Sequence, residues 1–226
     1  MLQPLLSVVT ILKDSDPLVF KTAESLLPQL GPRIEWVIKN SDERCTPELL
    51  NLTKRSKYIK LYSVPDKSSY DGLNQSLKLI TGARYSFMGA GDTFEENAVS
   101  EIIAAIECAT TNAAIFFPIW YDDPPTGIIV PKPMELPLRM AIPYPGAILD
   151  TQTVISLGGY NMSYQIAADY DLVCRYIKEF PESHVYETPI CRFMPGGMSE
   201  QRRSEGFFEK QLVRVRVWGY KPDFIK

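Results

Sequence analysis

The hydrophobic residues of the first 120 positions switch period at regular intervals, from unbroken apolar runs to helical stripes and back. No other feature constrains the fold as tightly. Residues 5–12 (LLSVVTIL) form a continuous, β-branched run, the pattern of a strand covered on both faces. Asp16-Pro17 then offers an N-cap and a proline suited to a first helical turn, with Leu18, Thr22, Leu26 and Leu27 at helical spacing. Residues 34–38 (IEWVI) predict a second strand, and Thr46-Pro47-Glu48 opens a second helix. Residues 58–64 read as a third strand. Residues 69–80 predict a helix with Leu73, Leu77 and Ile80 on one face, closed by Gly82. A short fourth strand at 85–88 runs into Gly89-Ala90-Gly91-Asp92. A helix is expected over 94–110 with Val99, Ile102, Ile103 and Ile106 inward, and a fifth strand over 113–120.

This rhythm predicts an α/β fold with a mainly parallel central sheet flanked by helices and joined by right-handed crossovers. In such sheets ligands sit beyond the carboxyl ends of the strands. Lys13-Asp14, Lys39-Asn40, Pro65-Asp66 and Gly91-Asp92 therefore share one edge. The second half reads differently. Eight of the chain's 18 prolines fall between Pro118 and Pro145, a stretch too long for a plain connector that suggests a functional loop or lid. A Gly158-Gly159 turn and a helix over 169–180 follow. From residue 200 the tail is +3, leaving the remainder at -6.

Composition excludes several function classes. A net charge of -3 over 226 residues does not suit nucleic-acid binding. His184 is the only histidine, which argues against His-ligated metals and a Ser-His-Asp triad. Cys45, Cys108, Cys174 and Cys191 form no CxxC pair, so free thiols in a reducing compartment are expected. With no run of about 18 apolar residues and no basic stretch at the start, a cytoplasmic protein is expected, at most peripheral at the inner face of the cell membrane.

Three segments carry candidate chemistry. In residues 85–94 (YSFMGAGDTF) small residues precede Asp92 at a strand's end. A carboxylate there can hold Mg²⁺ or Mn²⁺ against a diphosphate, or merely cap a helix starting near Phe94. In residues 165–175 (QIAADYDLVCR) Asp171 pairs with Arg175 at i, i+4 spacing. Asp169 follows two alanines and is either a partly desolvated general base or a carboxylate favoured by the helix dipole. In residues 64–74 (VPDKSSYDGLN) Asp66, Tyr70, Asp71 and Asn74 follow a strand, and Tyr70 and Asn74 share a helix face.

In this order the segments resemble the family-2 glycosyltransferases of the GT-A fold, particularly short bacterial enzymes of capsule, O-antigen and exopolysaccharide assembly. Residues 6–27 are similar to the family's opening strand and helix, 64–75 to its "EPDxGxYDAMNKG" segment and 85–92 to its metal strand. Residues 158–175 (GGYNMSYQIAADYDLVCR) resemble "GGFDxxYxIAxDYDLxLR". The resemblance implies a single GT-A domain over 1–226. Its parts would be a nucleotide-sugar half at 1–117, an acceptor-side half at 118–199 and a basic tail at 200–226. It implies inverting transfer from a nucleotide-sugar, with UDP favoured, to a glycan or lipid-linked acceptor hydroxyl. Asp92 would bind Mn²⁺ or Mg²⁺ and Asp169 would be the catalytic base. Thr10, Ile11, Leu12, Asn40, Asp66, Tyr70, Asp71, Asn74 and Gly91 would contact the donor. Residues 196–199 (GGMS) resemble a loop that closes over the diphosphate, with Arg202 and Arg203 as its cations.

The sequence departs from that family at three places. Ala90 stands where a second metal-site acid is usual, Lys39-Asn40 where an acid often meets uracil, and Tyr144-Pro145 where a histidine is common. They motivate an alternative, a non-catalytic glycosyltransferase-like subunit that binds a nucleotide or partner. A nucleotidyltransferase would need a Gly-rich loop after the first strand, and Lys13-Asp14-Ser15-Asp16-Pro17 has no glycine. The segment 207–218, mixing aromatics with Lys210, Arg214 and Arg216, reads as a helix packed on its own core, as a membrane-facing helix, or as a strand through Val213, Val215 and Val217. The sequence carries no signal for oligomeric state.

Overall fold

The computed structural model describes residues 3–121 and 127–220. The predicted strands form as β1 (Leu6–Leu12), β2 (Ile34–Asn40), β3 (Ile59–Ser63) and β4 (Arg84–Phe87). With β6 (Ala114–Phe116), β9 (Ala147–Asp150) and β10 (Ser183–Val185) they make a seven-stranded sheet, in the order β10-β6-β9-β4-β1-β2-β3. All its pairings are parallel except those of β9, which runs against both β4 and β6. The fold is α/β, as the sequence predicts. A second, four-stranded sheet joins β5 (Thr93–Phe94), β11 (Cys191–Phe193), β7 (Ile119–Tyr121) and β8 (Gly127–Ile129) in that order.

Helices cover both faces of the large sheet, which is why β1 is apolar throughout. Leu6 and Val8 turn towards α1 (Val19–Leu26), α2 (Pro47–Thr53) and α4 (Ala98–Cys108). Val9 joins the opposite core with α3 (Ser69–Ser76), α5 (Thr151–Ser156), α6 (Ala168–Glu179) and α8 (Arg203–Trp218). A short helix, α7 (Met198–Gln201), precedes α8. Thr46 caps α2 through Leu49 N–H, and Asp16 Oδ1 accepts from Leu18 N–H just before α1.

Several expected boundaries move, each for a local reason. The run at 113–120 is two strands in different sheets, because Pro118 has no N–H to continue a ladder and Phe117 N–H bonds Gly146 O instead. The helix expected from 94 starts only at Ala98, after Thr93-Phe94 pairs with β11. The inward face of α1 is Val19, Thr22, Ala23 and Leu26, while Leu18 is exposed. Helix α3 ends at Ser76, so Gly82 does not close it. A Cβ at Gly82 would lie 2.6 Å from Ser7 N, and close approach to β1 is what needs glycine there. The segment 207–218 is helical and packs Val213 and Val217 inward, while Phe207, Phe208 and Leu212 are exposed. In the proline-rich stretch, residues 122–126 lie outside the described ones. The rest of it forms β7, β8 and two short 3₁₀ turns that bury Leu136, Ile142 and Tyr144.

Candidate active site at the carboxyl edge of the sheet

The strand order reverses at β1, which has β2 and β3 on one side and β4 on the other. The loops after β1 and β4 therefore diverge and leave a crevice between them, the usual ligand position in such sheets. The loop after β1 places Asp14 and Ser15 in left-handed backbone, at φ 53° and 54°. Ser15 N–H donates to Asn40 Oδ1 at 3.1 Å, while Asn40 Nδ2 donates to Asp42 O and Arg44 O. The Asn40 amide is thus committed to holding the loops after β1 and β2 together. Asp42 is pushed above its ordinary pKa by a hydrogen bond with Asp14, its acidic neighbour across these loops.

The loop after β4 is held from α1. Thr22 Oγ1 accepts from Gly91 N–H at 3.0 Å and donates to Gly89 O at 3.3 Å. Gly91 has φ +95°, and a Cβ there would lie 2.5 Å from Met194 Sδ. Asp92 does not cap a helix, since α4 starts six residues later. Its buried carboxylate faces into the loop, Oδ2 accepting from Gly89 N–H (3.0 Å) and Oδ1 from Met194 N–H (2.8 Å). Burial pushes it up to about 6, against the opposing pull of these two N–H groups and of Lys21.

Asp66 sits where β3 gives way to α3. Lys39, fully buried on β2, donates to Asp66 Oδ2 (2.8 Å), Val64 O (2.5 Å) and Asn40 O (3.2 Å), so every ammonium proton has an acceptor. Thr10 Oγ1, also buried, accepts from Trp36 Nε1 at 3.0 Å. Ile11 and Leu12 complete the β1 terminus, with Ile11 half-buried and Leu12 buried. Asp71 turns back on its own helix, Oδ2 accepting from Lys67 N–H and Gln75 Nε2.

Asp169 lies on the first turn of α6, half-buried, with Oδ1 accepting from Tyr170 N–H at 2.7 Å. Burial raises its carboxyl to about 6, while the Tyr170 N–H and Lys210 pull it down and Glu209 pushes it up. The segment leading to it is tethered to α3. Asn74 makes a two-point clamp on Tyr160, donating to its carbonyl (2.9 Å) and accepting from its N–H (2.8 Å). Tyr70 Oη donates to Ile166 O at 2.6 Å and its ring stacks on Tyr160 at 5.7 Å between centroids. Gly159 has φ +66° and a Cβ there would meet Asn74 Oδ1 at 2.5 Å, so the clamp requires glycine. Arg175 fixes the far end, donating to Leu157 O and Gly159 O as well as to Asp171, its expected i, i+4 partner.

Tyr160, Tyr85 and Tyr144 share their hydroxyls in a buried chain beneath this segment. Tyr144 precedes antiparallel β9 and so reaches the same sheet edge, where its ring lies 6.0 Å from Phe87 at the end of β4. Asp92 and Asp169 are in this way both brought to the carboxyl edge. Arg202 and Arg203 lie at the α7–α8 junction, Arg202 paired with Glu205. Sequence reasoning passed over Thr22, Tyr160, Tyr85 and Glu209. Thr22 was legible only as one member of a helical stripe. Two surface clefts, about 360 Å³ beside Gln29 and Arg33 and about 530 Å³ beside Ile128 and Arg139, border neither aspartate.

No family model and no curated protein matches the sequence. Solved structures match its fold across nearly the whole chain. TarS of S. aureus aligns with a TM-score of 0.71 at 13% identity, over 96% of this chain and 40% of that one. This is a GT-A glycosyltransferase fold. The GT-A mannosyltransferase PcManGT of Pyrobaculum calidifontis, in complex with GDP-Man and Mn²⁺, aligns at 0.69 with 14% identity, over 95% and 65% of the two chains. The glucosyl-3-phosphoglycerate synthase of Mycobacterium tuberculosis, in complex with Mn²⁺, UDP and glucosyl-3-phosphoglycerate, aligns at 0.62 with 13% identity, over 97% and 82%. The chain spans between 40% and 68% of the lengths of the TarS chains it matches.

Proposed function

We propose that this protein transfers a sugar from a nucleotide-sugar donor to an acceptor hydroxyl, with inversion at the anomeric carbon. The observation that carries the reading is two burial-raised carboxyls, Asp92 in the loop after β4 and Asp169 on the first turn of α6, at the carboxyl edge of a GT-A sheet whose strand order reverses at β1. Solved GT-A neighbours that bind UDP or GDP-Man, two of them with Mn²⁺, support it. In this reading residues 1–117 bind the donor, 118–199 face the acceptor and 200–226 form a basic tail. The large sheet is shared between the first two, because β9 inserts between β4 and β6.

The donor nucleotide lies over Thr10, Ile11, Leu12 and the Lys39–Asp66 pair, where Oδ1 of Asp66 is the oxygen not taken by Lys39. Asn40, Asp71, Asn74 and Tyr70 shape this pocket by holding loops, since each side chain has its own protein partner. Among the described residues no three His, Cys, Asp or Glu side chains converge on one point. Asp92 presents one carboxylate whose oxygens each hold a single N–H, which fits a divalent cation shared with the donor diphosphate and water. Mn²⁺ or Mg²⁺ held by Asp92 would neutralise the departing nucleoside diphosphate. Arg202 and Arg203 add positive charge on the same leaving group.

Asp169 takes the proton of the acceptor hydroxyl as that oxygen bonds to the anomeric carbon and the bond to the diphosphate breaks. A carboxyl raised to about 6 remains ionised at neutral pH yet is a stronger base than an ordinary aspartate. The acceptor is a glycan or lipid-linked sugar of surface polysaccharide assembly, and the exposed Phe207, Phe208 and Leu212 beside Arg203 and Arg216 suit peripheral contact with an anionic membrane. No described helix is long and apolar enough to cross a membrane.

The deciding experiment is a thermal-shift panel of UDP, GDP, dTDP and CMP with and without Mn²⁺, since a ligand of the native state raises its apparent stability. One nucleotide should give a metal-dependent shift. Absence of a shift with all four would overturn the reading.

A further inference from the structure

Helix α6 begins at Ala168 behind Ala167, neither of which has a side chain able to cap it. The N–H groups at the start of a helix lack intrahelical partners and must find others. The three amides just ahead of that turn, those of residues 165–167, find their partner 42 to 44 residues away. Glu209 Oε1 accepts from Gln165 N–H (2.7 Å), and Oε2 accepts from both Ile166 N–H (2.8 Å) and Ala167 N–H (2.9 Å). One carboxylate on α8 therefore gathers three consecutive amides immediately before Asp169. The two elements also touch one turn earlier, where a Cβ at Gly206 would lie 2.9 Å from Ile166 Cγ2. Gly206, Glu209, Val213 and Val217 form the inner stripe of α8, and Glu209 is the only carboxylate in it.

We infer that Glu209 is a positioning residue for the catalytic base, a remote tether that fixes the segment 165–167 and so sets where Asp169 points. The inference rests on the glycosyltransferase reading for its catalytic consequence. The clamp itself does not. A neutral or aliphatic residue at 209 cannot accept three N–H groups, so the tether cannot be replaced by packing alone. Glu209 also places a negative charge near Asp169. The charged and titratable groups facing Asp169 are Glu209 and Lys210 of α8, Tyr70 of α3, Tyr144 before β9 and Cys174 of its own helix. Glu209 opposes ionisation of Asp169 and Lys210 favours it. The tail after the Gly196-Gly197 turn is therefore joined to the base as well as to the proposed diphosphate cations.

The test is Glu209→Gln in the full chain, read in four ways. Amide hydrogen exchange at 165–167 should accelerate at least about tenfold, because a hydrogen bond to a charged group is worth more than one power of ten in an equilibrium. The Asp169 carboxyl, followed by carbon NMR, should titrate at lower pH once its acidic neighbour is neutralised. The acid limb of the rate profile should move with it, and turnover should fall at least about tenfold with the donor KM changed less than about twofold. A simple folding defect would expose Asp169 and also lower its pKa, but it would spread faster exchange to the core amides of β1 and α6, whereas loss of the tether confines it to 165–167. In the wild type, a coupling across the hydrogen bonds from the 165–167 amides to the Glu209 carboxyl carbon checks the contact with no substitution at all. Unchanged exchange and titration, or unchanged turnover despite lost protection, would overturn the positioning role. A wild-type protein that binds no nucleotide would refute the glycosyltransferase reading alone, while exchange and titration still decide whether Glu209 governs Asp169.

Discussion

Replacing Asp92 by asparagine separates the burden of a buried charge from its use. Asp92 is 3% exposed, and its carboxyl titrates at about 6 in the folded protein against 3.8 for the free side chain. That gap corresponds to about 3 kcal/mol of differential stability. The sign follows from the direction of the shift. The folded state holds the proton more tightly, so the contribution is fully present below pH 3.8, declines as pH rises through about 6 and is constant above. Asparagine has no such titration. The stability of the wild type minus that of Asp92→Asn should therefore fall by about 1.4 kcal/mol per pH unit across this window, for a total of about 3 kcal/mol. The single amide oxygen cannot satisfy both Gly89 N–H and Met194 N–H, which adds a pH-independent offset of about 1–3 kcal/mol in the opposite sense. The slope, not the offset, is the diagnostic. Asp169 titrates in the same range but is present in both proteins and cancels. Urea unfolding followed by the fluorescence of buried Trp36, repeated at half-unit steps of pH, measures the difference. A flat difference curve would refute the reasoning, because it would mean that the two N–H groups fully compensate the lost hydration of the carboxylate.

Two further outcomes follow from the same geometry. Asp169→Asn should lower turnover by about 10²–10⁴ with nucleotide binding unchanged, and wild-type kcat/KM should rise with pH through about 6 and level off. Wild-type turnover in that variant, measured by donor consumption, would remove the base assignment. Asn74→Ala should cost about 2 kcal/mol or more in chemical denaturation, since it strips the Tyr160 N–H and carbonyl of their partner, and a loss below about 0.5 kcal/mol would show that the clamp is dispensable.

The central sheet was legible because each strand's apolar run states that both of its faces are covered, and because proline, threonine and glycine mark the turns between. The break at Pro118 was less visible. Strand-like residues continue on both sides of it, and only the missing N–H separates the two sheets. The antiparallel course of β9 leaves no mark in the AILD tetrapeptide, since its direction follows from the side on which the chain enters the gap between β4 and β6. At the sheet edge, Asp92 and Asp169 were singled out through their setting at the ends of elements. Asn40, Asp71 and Asn74 were expected to contact a donor, and in the structure their polar atoms bond the protein. Sequence lists what a side chain offers, not who has already taken it. Glu209 was illegible for the opposite reason, because one glutamate in a charged helix looks solvated until the three bare amides of 165–167 are set against it.

The buried Lys39–Asp66 pair has an evolutionary corollary. A cation with no exposure and every proton assigned cannot be lost alone, since removing either member of such a pair costs about 3–5 kcal/mol, a large share of a domain's 5–15 kcal/mol margin. The floor of the proposed nucleotide pocket must therefore drift by coupled steps, with the two positions exchanging together or not at all. Descendants of this chain would inherit their base preference as a block, and a laboratory library that varies Asp66 without Lys39 would sample mostly destabilised proteins.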